Sequence, residues 1–371
     1  MKKIFITIPW FLPAFRAGGP IQSVANLVKE FNEDVEYYIF CSNKDLDQST
    51  LSNISTNTWT NYNGYTKIWY SAGRNILNDL KAEINKTRPD VLYIIGIYDW
   101  HFNITPLLFC KVPKKILSVR GMLHPGAVSQ KRLKKKLFLH LFKILRLHRS
   151  IYFHATDNNE VEHIQKHFGT AAKICIAGNF PARIEILPLP KKEAGKLRLV
   201  SIALISPMKN ILLALEALQN LQESIQYEIY GPIKDENYFE NCITQIKKLP
   251  SNVSVYIKGE ISPGKIKMAL SDAHVFILPS KSENFGHAIY EALSAGRPVI
   301  TSHFTPWNNL ETSHAGINVN IEETTIAKAI THFAQMSNEE LLDWSKGAAD
   351  YARAVIDIGK IGNEYRQMFA L

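Results

Sequence analysis

Short apolar runs alternate with helical patterns along the whole chain, and this alternation limits the fold more than any other feature. Most runs are continuously apolar, which is typical of parallel strands covered by helices on both faces. The series stops once and restarts, so we predict two sets of strands. The first set is Ile4 to Ile8, Glu36 to Phe40, Val91 to Ile95, Lys115 to Val119, Ile151 to His154 and Lys173 to Ile176, and the second is Leu197 to Ala203, Tyr227 to Tyr230, Val253 to Ile257, Val275 to Leu278 and Pro298 to Thr301.

A linker is predicted between the two sets, because residues 179–196 are rich in proline and charge. We therefore predict an α/β fold of two doubly wound domains that face each other across a cleft, with ligands at the carboxyl ends of the strands. The predicted domains are residues 1–182 and 183–352. Residues 353–371 are predicted to form a C-terminal helix that packs back toward the first domain.

The length and composition of the chain fit two domains of ordinary size, and its cysteine content fits a reducing compartment. The chain has 371 residues, of which 46% are hydrophobic, and its four cysteines show no CxxC spacing, so neither a disulfide framework nor a zinc knuckle is indicated. The apolar start resembles a signal peptide, but Pro9 and Pro13 interrupt it and no small-residue cleavage site follows. We read it as a first strand and expect a cytoplasmic protein.

Residues 276–300 are the most informative segment. They read as a buried strand, a polar loop containing Glu283, a glycine hinge at Gly286, a helix from His287 to Ala295 and a second buried strand. A glycine lets the backbone approach a ligand closely, and the free amides that begin a helix form an anion site. A diphosphate suits that position.

The two glutamates of this segment have an ordinary interpretation as well as a functional one. Glu291 shares a helix face with His287, nearly opposite Ile289, so it equally fits a solvated position. A loop carboxylate such as Glu283 is commonly exposed. The combination of both carboxylates around a glycine favours ligand binding, because a carboxylate accepts hydrogen bonds from adjacent hydroxyls of a ribose or a hexose.

The whole segment resembles the signature of retaining glycosyltransferase family 4, which has the GT-B fold of two Rossmann-like domains. Glu283 and Glu291 form its E-x7-E pattern, inside Pro-Ser-x-x-Glu-x-Phe-Gly and before Glu-Ala-Leu-x-Ala-Gly-x-Pro-Val-Ile. The resemblance implies that Glu283 lies at the donor sugar and Glu291 at the nucleotide ribose. It also implies an acceptor-side first domain and a donor-binding second domain.

The resemblance further implies a reaction and its setting. A sugar would move, with retention, from a nucleotide diphosphate sugar of the UDP or GDP type to a glycan or lipid-linked saccharide. Relatives act in surface polysaccharide assembly, such as O-antigen or capsule. No metal or other cofactor is expected, since Asp45-Leu-Asp47 lies in a polar loop, where we predict that it is solvated.

A phosphate-gripping segment follows the first strand of the second set. Ile205-Ser-Pro-Met-Lys209-Asn210 resembles the family segment in which an arginine and a lysine hold the diphosphate. Lys209 matches the lysine, but Leu204 stands where the arginine is usual. Either Arg120 or another basic side chain therefore compensates, or the activity is weak or absent.

The remaining candidates rest on the resemblance and on their positions at strand ends. Gly18 and Gly19 match a loop beside the donor phosphate, although a Gly-Gly pair is also an ordinary turn. Arg120 and His124 match a segment facing the cleft, although a surface arginine and a solvated histidine fit equally. The predicted catalytic residues are Glu283, Lys209, Arg120 and His124, and the other predicted donor-binding residues are Gly18, Gly19, Asn210, Gly231, Lys258, Asn284, Phe285, Gly286, His287 and Glu291.

Several alternatives stay open. Thr305-Pro306-Trp307 resembles a segment of relatives, but a buried structural tryptophan is an equal interpretation. A sugar-nucleotide epimerase shares the predicted architecture, and a catalytically silent binding subunit would explain Leu204. NAD binding is disfavoured because no GxGxxG follows either first strand, and nucleic-acid binding because the basic charge is confined to one helix.

That helix spans residues 131–149 and carries eight lysines or arginines with no acid. Its basic residues fall largely on one arc, and Leu133, Leu137, Leu141, Ile144 and Leu145 largely opposite, while Lys134 and Phe142 break the pattern. We predict that the apolar side packs on the sheet. The basic face is then either solvated or bound to an anionic membrane at the inner face of the cell.

Overall fold

The computed structural model describes residues 1–73, 75–125 and 132–370, which form two compact units. The first unit comprises Met1–Phe180 with Ile358–Leu371, and the second comprises Pro181–Asp357. The division therefore falls at residue 180 instead of 182. The chain re-enters the first unit at residue 358 instead of 353, because residues 353–355 complete a helix of the second unit in which Ala352 is buried.

The first unit is built on a sheet of eight described strands. The strands are β1 (Lys2–Thr7), β2 (Val35–Ser42), β3 (Trp59–Asn63), β4 (Thr66–Ser71), β5 (Val91–Ile95), β6 (Lys114–Ser118), β7 (Tyr152–Ala155) and β8 (Ile174–Ile176). Their order is β3-β4-β2-β1-β5-β6-β7-β8, and only β3 pairs antiparallel, with β4. The helices are α1 (Gly19–Glu30), α2 (Ile76–Thr87), α3 (Thr105–Phe109) after a π-helical turn at Trp100–Ile104, α4 (Arg132–Ile144) before a 3₁₀ turn at Leu147–Arg149, and α5 (Asn158–Phe168).

The second unit is built on six described parallel strands. They are β9 (Lys196–Ile202), β10 (Ser224–Tyr230), β11 (Val253–Gly259), β12 (Val275–Leu278), β13 (Val299–Ser302) and β14 (Gly316–Val319), in the order β11-β10-β9-β12-β13-β14. The helices are α6 (Ile211–Glu216), α7 (Glu236–Ile246), α8 (Ile266–Ser271), α9 (His287–Ser294), α10 (Glu323–Gln335) and α11 (Asn338–Val355), with 3₁₀ turns at Pro263–Lys265 and Glu311–Ser313. The last helix of the chain, α12 (Ile358–Phe369), belongs to the first unit.

Burial along the strands confirms the predicted doubly wound architecture. Every residue of β5, β12 and β13 is buried, as expected where helices cover both faces of a sheet. Strand β11 instead alternates between exposed and covered residues, because it is an edge strand. The strand prediction missed β3 and β4, whose sequences are largely polar around the Asn63-Gly64 turn, and the four-residue β14.

The C-terminal helix α12 fills the core of the first unit with aromatic side chains. Tyr365 and Phe369 are buried, and both rings contact Phe31, at centroid distances of 5.9 and 6.4 Å. The Lys114 ammonium donates to the carbonyl of Met368 at 2.7 Å. Helix α12 is therefore an integral part of the first unit.

Helix α4 packs differently from the prediction, which is wrong about the buried side. Leu133, Leu137, Leu141, Ile144 and Leu145 are exposed, whereas Leu139 and Phe142 are buried. The aromatic residues decide the packing, because the Phe142 ring contacts the rings of Phe138 and Phe168 at 5.9 and 5.4 Å. Lys131 lies outside the described residues.

Candidate functional site

Two loops meet at the carboxyl edge of the second sheet. Strand β9 has β10 on one side and β12 on the other, so the loops that follow β9 and β12 leave the sheet at the point where the strand order reverses. Ligands of doubly wound sheets bind at such points. The two loops are joined by a backbone hydrogen bond from Lys281 to Met208, 2.8 Å long.

An ion pair links the predicted phosphate lysine to the first glutamate of the motif. The Lys209 ammonium lies 2.5 Å from Oε1 of Glu283, and the Ser280 hydroxyl donates to the same oxygen at 2.7 Å. The side chains of Lys209 and Glu283 are 22% and 9% exposed. The Glu283 carboxylate is thus paired and largely buried, so it does not fit the interpretation of a solvent-exposed loop residue.

Gly286 turns the chain into helix α9, and no other residue fits there without strain. Its φ is +76°, and an added Cβ would lie 3.1 Å from Cδ1 of Ile289 and 3.2 Å from Nε1 of Trp307. The same Trp307 nitrogen donates to the carbonyl of Phe285 at 2.6 Å. Trp307 is 2% exposed, so the structural interpretation of this tryptophan is confirmed: it fixes the loop that carries the motif.

Glu291 is buried in helix α9, which overturns the solvated interpretation. The residue is 4% exposed, and burial raises the pKa of its carboxyl to about 8. Within residues 1–73, 75–125 and 132–370, its carboxyl has no ion pair or hydrogen bond. A buried carboxyl without partners is unfavourable when ionised, so this position favours a ligand that supplies hydroxyl donors.

Residues around the ion pair complete the candidate site in the second unit. Asn210 begins α6 with a φ of +58°, is 6% exposed, and its side-chain amide nitrogen has no partner in the described part of the chain. Leu204 is half-buried in the same loop. Asn284 directly follows Glu283, and the rings of Phe285 and His287 lie 4.7 Å apart.

Gly231 and Lys258 follow or end neighbouring strands, as expected, but Lys258 already has a partner. The φ of Gly231 is +146°, and an added Cβ would clash with the carbonyl oxygen of Ala203 at 1.8 Å. The Lys258 ammonium lies 3.3 Å from the Glu228 carboxylate. Lys258 is therefore neutralised at the edge of the sheet.

In the first unit, Arg120 is held by hydrogen bonds, so the interpretation as a surface arginine is wrong. Its guanidinium donates to Asn179 and, at 2.9 Å, to the Tyr93 hydroxyl. That hydroxyl also lies 2.7 Å from Nδ1 of His154, whose Nε2 donates to the carbonyl of Ala177 at 2.8 Å. Burial, with a smaller effect of Arg120, lowers the pKa of His154 to about 3, so this histidine is neutral.

The sequence did not point to Tyr93 or His154, because each lies on a buried strand and carries no motif. The sequence offers only a general indication for them: each is a polar residue on a strand predicted to be buried, and buried polar groups need hydrogen-bond partners. The histidine that was predicted, His124, lies with its ring 5.1 Å from that of His163. Burial and then His163 lower the pKa of His124.

Gly18 and Gly19 begin helix α1, and Gly18 requires its glycine because its φ is +70°. The loop before them is held by Asp45, whose carboxylate accepts the amides of Phe15 and Arg16 at 3.2 and 3.4 Å. Asp45 is 3% exposed, so the prediction that it is solvated is wrong. Its role is to fix the loop, since it supplies the acceptor for these two partly buried amides.

The predicted residues are thus divided between the units. Gly18, Gly19, Arg120 and His124 belong to the first unit, and the others belong to the second. In the part of the chain that the structure describes, no group of three or more His, Cys, Asp or Glu side chains is arranged to hold a metal. Metal independence stays a prediction.

Comparisons with known proteins find a family that is similar to most of the second unit. The family of glycosyl transferases group 1 matches residues 183–350, which contain every predicted site residue of the second unit. No curated protein matches the sequence. Among solved structures, sucrose-phosphate synthase from Thermosynechococcus elongatus is similar over 100% of both chains, with 15% identity and a TM-score of 0.75.

Two further structures are similar over nearly their whole length. HepE from Anabaena in complex with UDP and glucose has 15% identity and a TM-score of 0.70, covering 100% of this chain and 99% of HepE. WaaG, a glycosyltransferase involved in lipopolysaccharide biosynthesis, has 12% identity and a TM-score of 0.65, covering 99% of each chain. At these identities the structures show the fold. Residues 183–350 of the second unit match the group 1 glycosyltransferase family, and the chain as a whole has the GT-B fold.

Proposed function

We propose that the protein is a retaining, metal-independent glycosyltransferase that uses a nucleotide diphosphate sugar of the UDP or GDP type. The observation that carries the proposal is the pairing of Lys209 with Glu283 beside the start of helix α9, with the unpartnered Glu291 inside that helix. A cation, a helix N-terminus and two carboxyl groups match the diphosphate and the hydroxyls of such a donor.

In this proposal Lys209 changes partner when the donor binds. Without a ligand its charge is balanced by Glu283, and a diphosphate would compete for the ammonium because it carries more negative charge. Glu283 would then be released to accept hydroxyls of the sugar. The positive end of the helix α9 dipole and the Lys209 ammonium would stabilise the charge that grows on the leaving diphosphate.

In the same arrangement, Glu291 would accept hydrogen bonds from the ribose hydroxyls of the donor. Two hydroxyl donors would satisfy its carboxyl and favour its ionised form, so donor binding at neutral pH should release a proton. The structure of HepE with UDP and glucose supports a UDP sugar as the first donor to test. Lys209 is the cation that we assign to the diphosphate among the described residues of the second unit.

We further propose a glycan or lipid-linked saccharide acceptor and a role in surface polysaccharide biosynthesis. The support is the fold shared with WaaG, which acts in lipopolysaccharide biosynthesis. Leu204 is half-buried and stands where the resemblance implies an arginine, which favours one rival: a silent subunit that binds the donor without turnover.

A donor screen tests the proposal. The full chain is incubated with UDP, GDP and ADP sugars, with and without saccharide acceptors, and the released nucleotide diphosphate is measured with and without EDTA. We expect acceptor-dependent release that EDTA leaves unchanged, and a product with the anomeric configuration of the donor. Donor binding without release would indicate the silent subunit, and conversion of the donor alone would indicate an epimerase.

A further inference from the structure

Helix α4 presents a row of large apolar side chains to solvent. Leu133, Leu137, Leu141, Ile144 and Leu145, here called the leucine stripe, are 84%, 61%, 48%, 61% and 59% exposed. At 100° per residue its four helical members fall within about 80° of one another. A contiguous exposed apolar row of this kind marks an interaction surface.

The leucine stripe is not the face by which helix α4 packs on the first unit, because a different face of the helix is buried there. Leu139 and Phe142 are 5% and 2% exposed and belong to the core of the first unit. The Phe138 ring contacts Tyr98 at 5.2 Å, and the Lys135 ammonium lies 5.0 Å from the same Tyr98 ring. The helix is therefore fixed with its stripe outward.

The charges around the stripe point to one kind of partner. Lys134, Lys136 and Lys143 are exposed on the same helix, Arg146 and Arg149 follow it, and residues 131–149 contain no acid. A second copy of the chain would bring like charges together, which is unfavourable. An anionic lipid surface instead offers negative headgroups to the cations and acyl chains to the leucines.

We infer that helix α4 lies in the plane of an anionic membrane, with the leucine stripe inserted among the acyl chains and Lys134, Lys136 and Lys143 at the headgroups. This orientation differs from the sequence-based one, in which the leucines face the sheet and only charges reach lipid. A helix of 13 residues is about 20 Å long, enough to lie on a bilayer but too short to cross it. In the described ranges, no helix is long and apolar enough to span a membrane.

Vesicle co-sedimentation with the full chain tests the orientation, and it needs no donor or acceptor. We expect binding to phosphatidylcholine vesicles that contain phosphatidylglycerol. The variant Leu133→Ser/Leu137→Ser/Ile144→Ser should bind at least about tenfold more weakly. The control Met268→Ser/Leu342→Ser/Val355→Ser removes apolar side chains that are 58%, 49% and 49% exposed from helices of the second unit and should bind as the parent does.

A charge series separates the two contributions. Lys134→Glu/Lys136→Glu/Lys143→Glu should lose the preference for anionic lipid, whereas Lys247→Glu/Lys248→Glu/Lys267→Glu, at exposed positions of the second unit, should keep it. A polarity-sensitive dye on Leu137→Cys should shift to the blue on vesicles, and the same dye on Leu342→Cys should not. These shifts report insertion, which a purely electrostatic contact does not produce.

Three results would overturn the inference. They are equal binding to neutral and anionic vesicles, parental binding by the leucine-stripe variant, and an unshifted dye at position 137. Sedimentation velocity without lipid adds a fourth: if the parent is a dimer that the leucine-stripe substitutions dissociate, the stripe is covered by a second copy.

Discussion

Glu291 should make the stability of the second unit depend on pH. Burial raises the pKa of its carboxyl from the usual 4.5 to about 8, so between these values the folded chain holds a proton that the unfolded chain has released. Stability then falls as pH rises through this window. For these two pKa values the linkage relation gives a loss on the order of 3–4 kcal/mol in the free energy of unfolding between pH 5 and pH 8.

Glu291→Gln removes this titration while keeping the shape of the side chain. The stability of the variant relative to the parent should therefore rise by an amount on the order of 3–4 kcal/mol over the same pH range, starting from a small difference at pH 5. Glu240→Gln is the matched control, because Glu240 is exposed on helix α7 of the same unit. Its difference from the parent should not change with pH.

Urea unfolding followed at Cys242 measures the effect in the correct unit. Cys242 is 1% exposed and is the one cysteine of the sequence that lies within residues 181–357. A short pulse of a methanethiosulfonate reagent labels it only after that unit has opened, and peptide mass analysis quantifies the labelling. Parallel pH curves for Glu291→Gln and the parent would refute the assignment of a raised pKa to this residue.

Three other substitutions have defined outcomes. Gly286→Ala should lower the free energy of unfolding, measured at Cys242, by about 1–3 kcal/mol, and by more than Gly195→Ala, whose site has positive φ but open space; equal losses would contradict the role of the crowded turn. Phe369→Ala should destabilise the first unit by about 3–5 kcal/mol in thermal unfolding, because the ring is fully buried, and a loss below 1 kcal/mol would contradict its core position. Leu204→Arg should raise the turnover of donor about threefold to tenfold by adding one charged contact to the diphosphate, and unchanged kinetics would show that this position does not face the donor.

The sequence predicted those parts of the fold that repeat a strong local pattern. Val91–Ile95 and Val275–Leu278 were predicted with the observed bounds, because a short continuous apolar run flanked by turns is typical of a buried strand. Strand β3 was missed because Trp59–Asn63 is mostly polar and pairs only at a sheet edge. Such an edge strand forms because of its pairing with a neighbouring strand and the turn between them, and its own composition does not predict that pairing.

The packing of α4 shows a second limit. Periodicity identifies the faces of a helix, but it does not say which face the rest of the fold covers. Here the contacts of Phe142 with Phe138 and Phe168 place the aromatic face inward, although Phe142 breaks the leucine pattern. The outcome depends on residues that are distant in sequence.

The candidate site was only partly visible for a similar reason. The motif gave Glu283, Gly286 and Glu291, but burial of Glu291 and the ion pair of Glu283 with Lys209 follow from how separate loops meet. The partners of Arg120 come from the same kind of distant contact, since Tyr93 and Asn179 lie on other segments. A local sequence pattern does not predict contacts between such distant segments.

Donor binding by matched variants tests the central claim most directly. The donor found in the screen is titrated calorimetrically into the parent, Glu291→Gln, Lys209→Ala and Lys247→Ala, an exposed lysine of the second unit that serves as the control. Because each site variant removes a charged contact, its Kd should rise about tenfold or more, while the control keeps the parental Kd. Parental affinity in both Glu291→Gln and Lys209→Ala would contradict a nucleotide sugar site at the loops after β9 and β12.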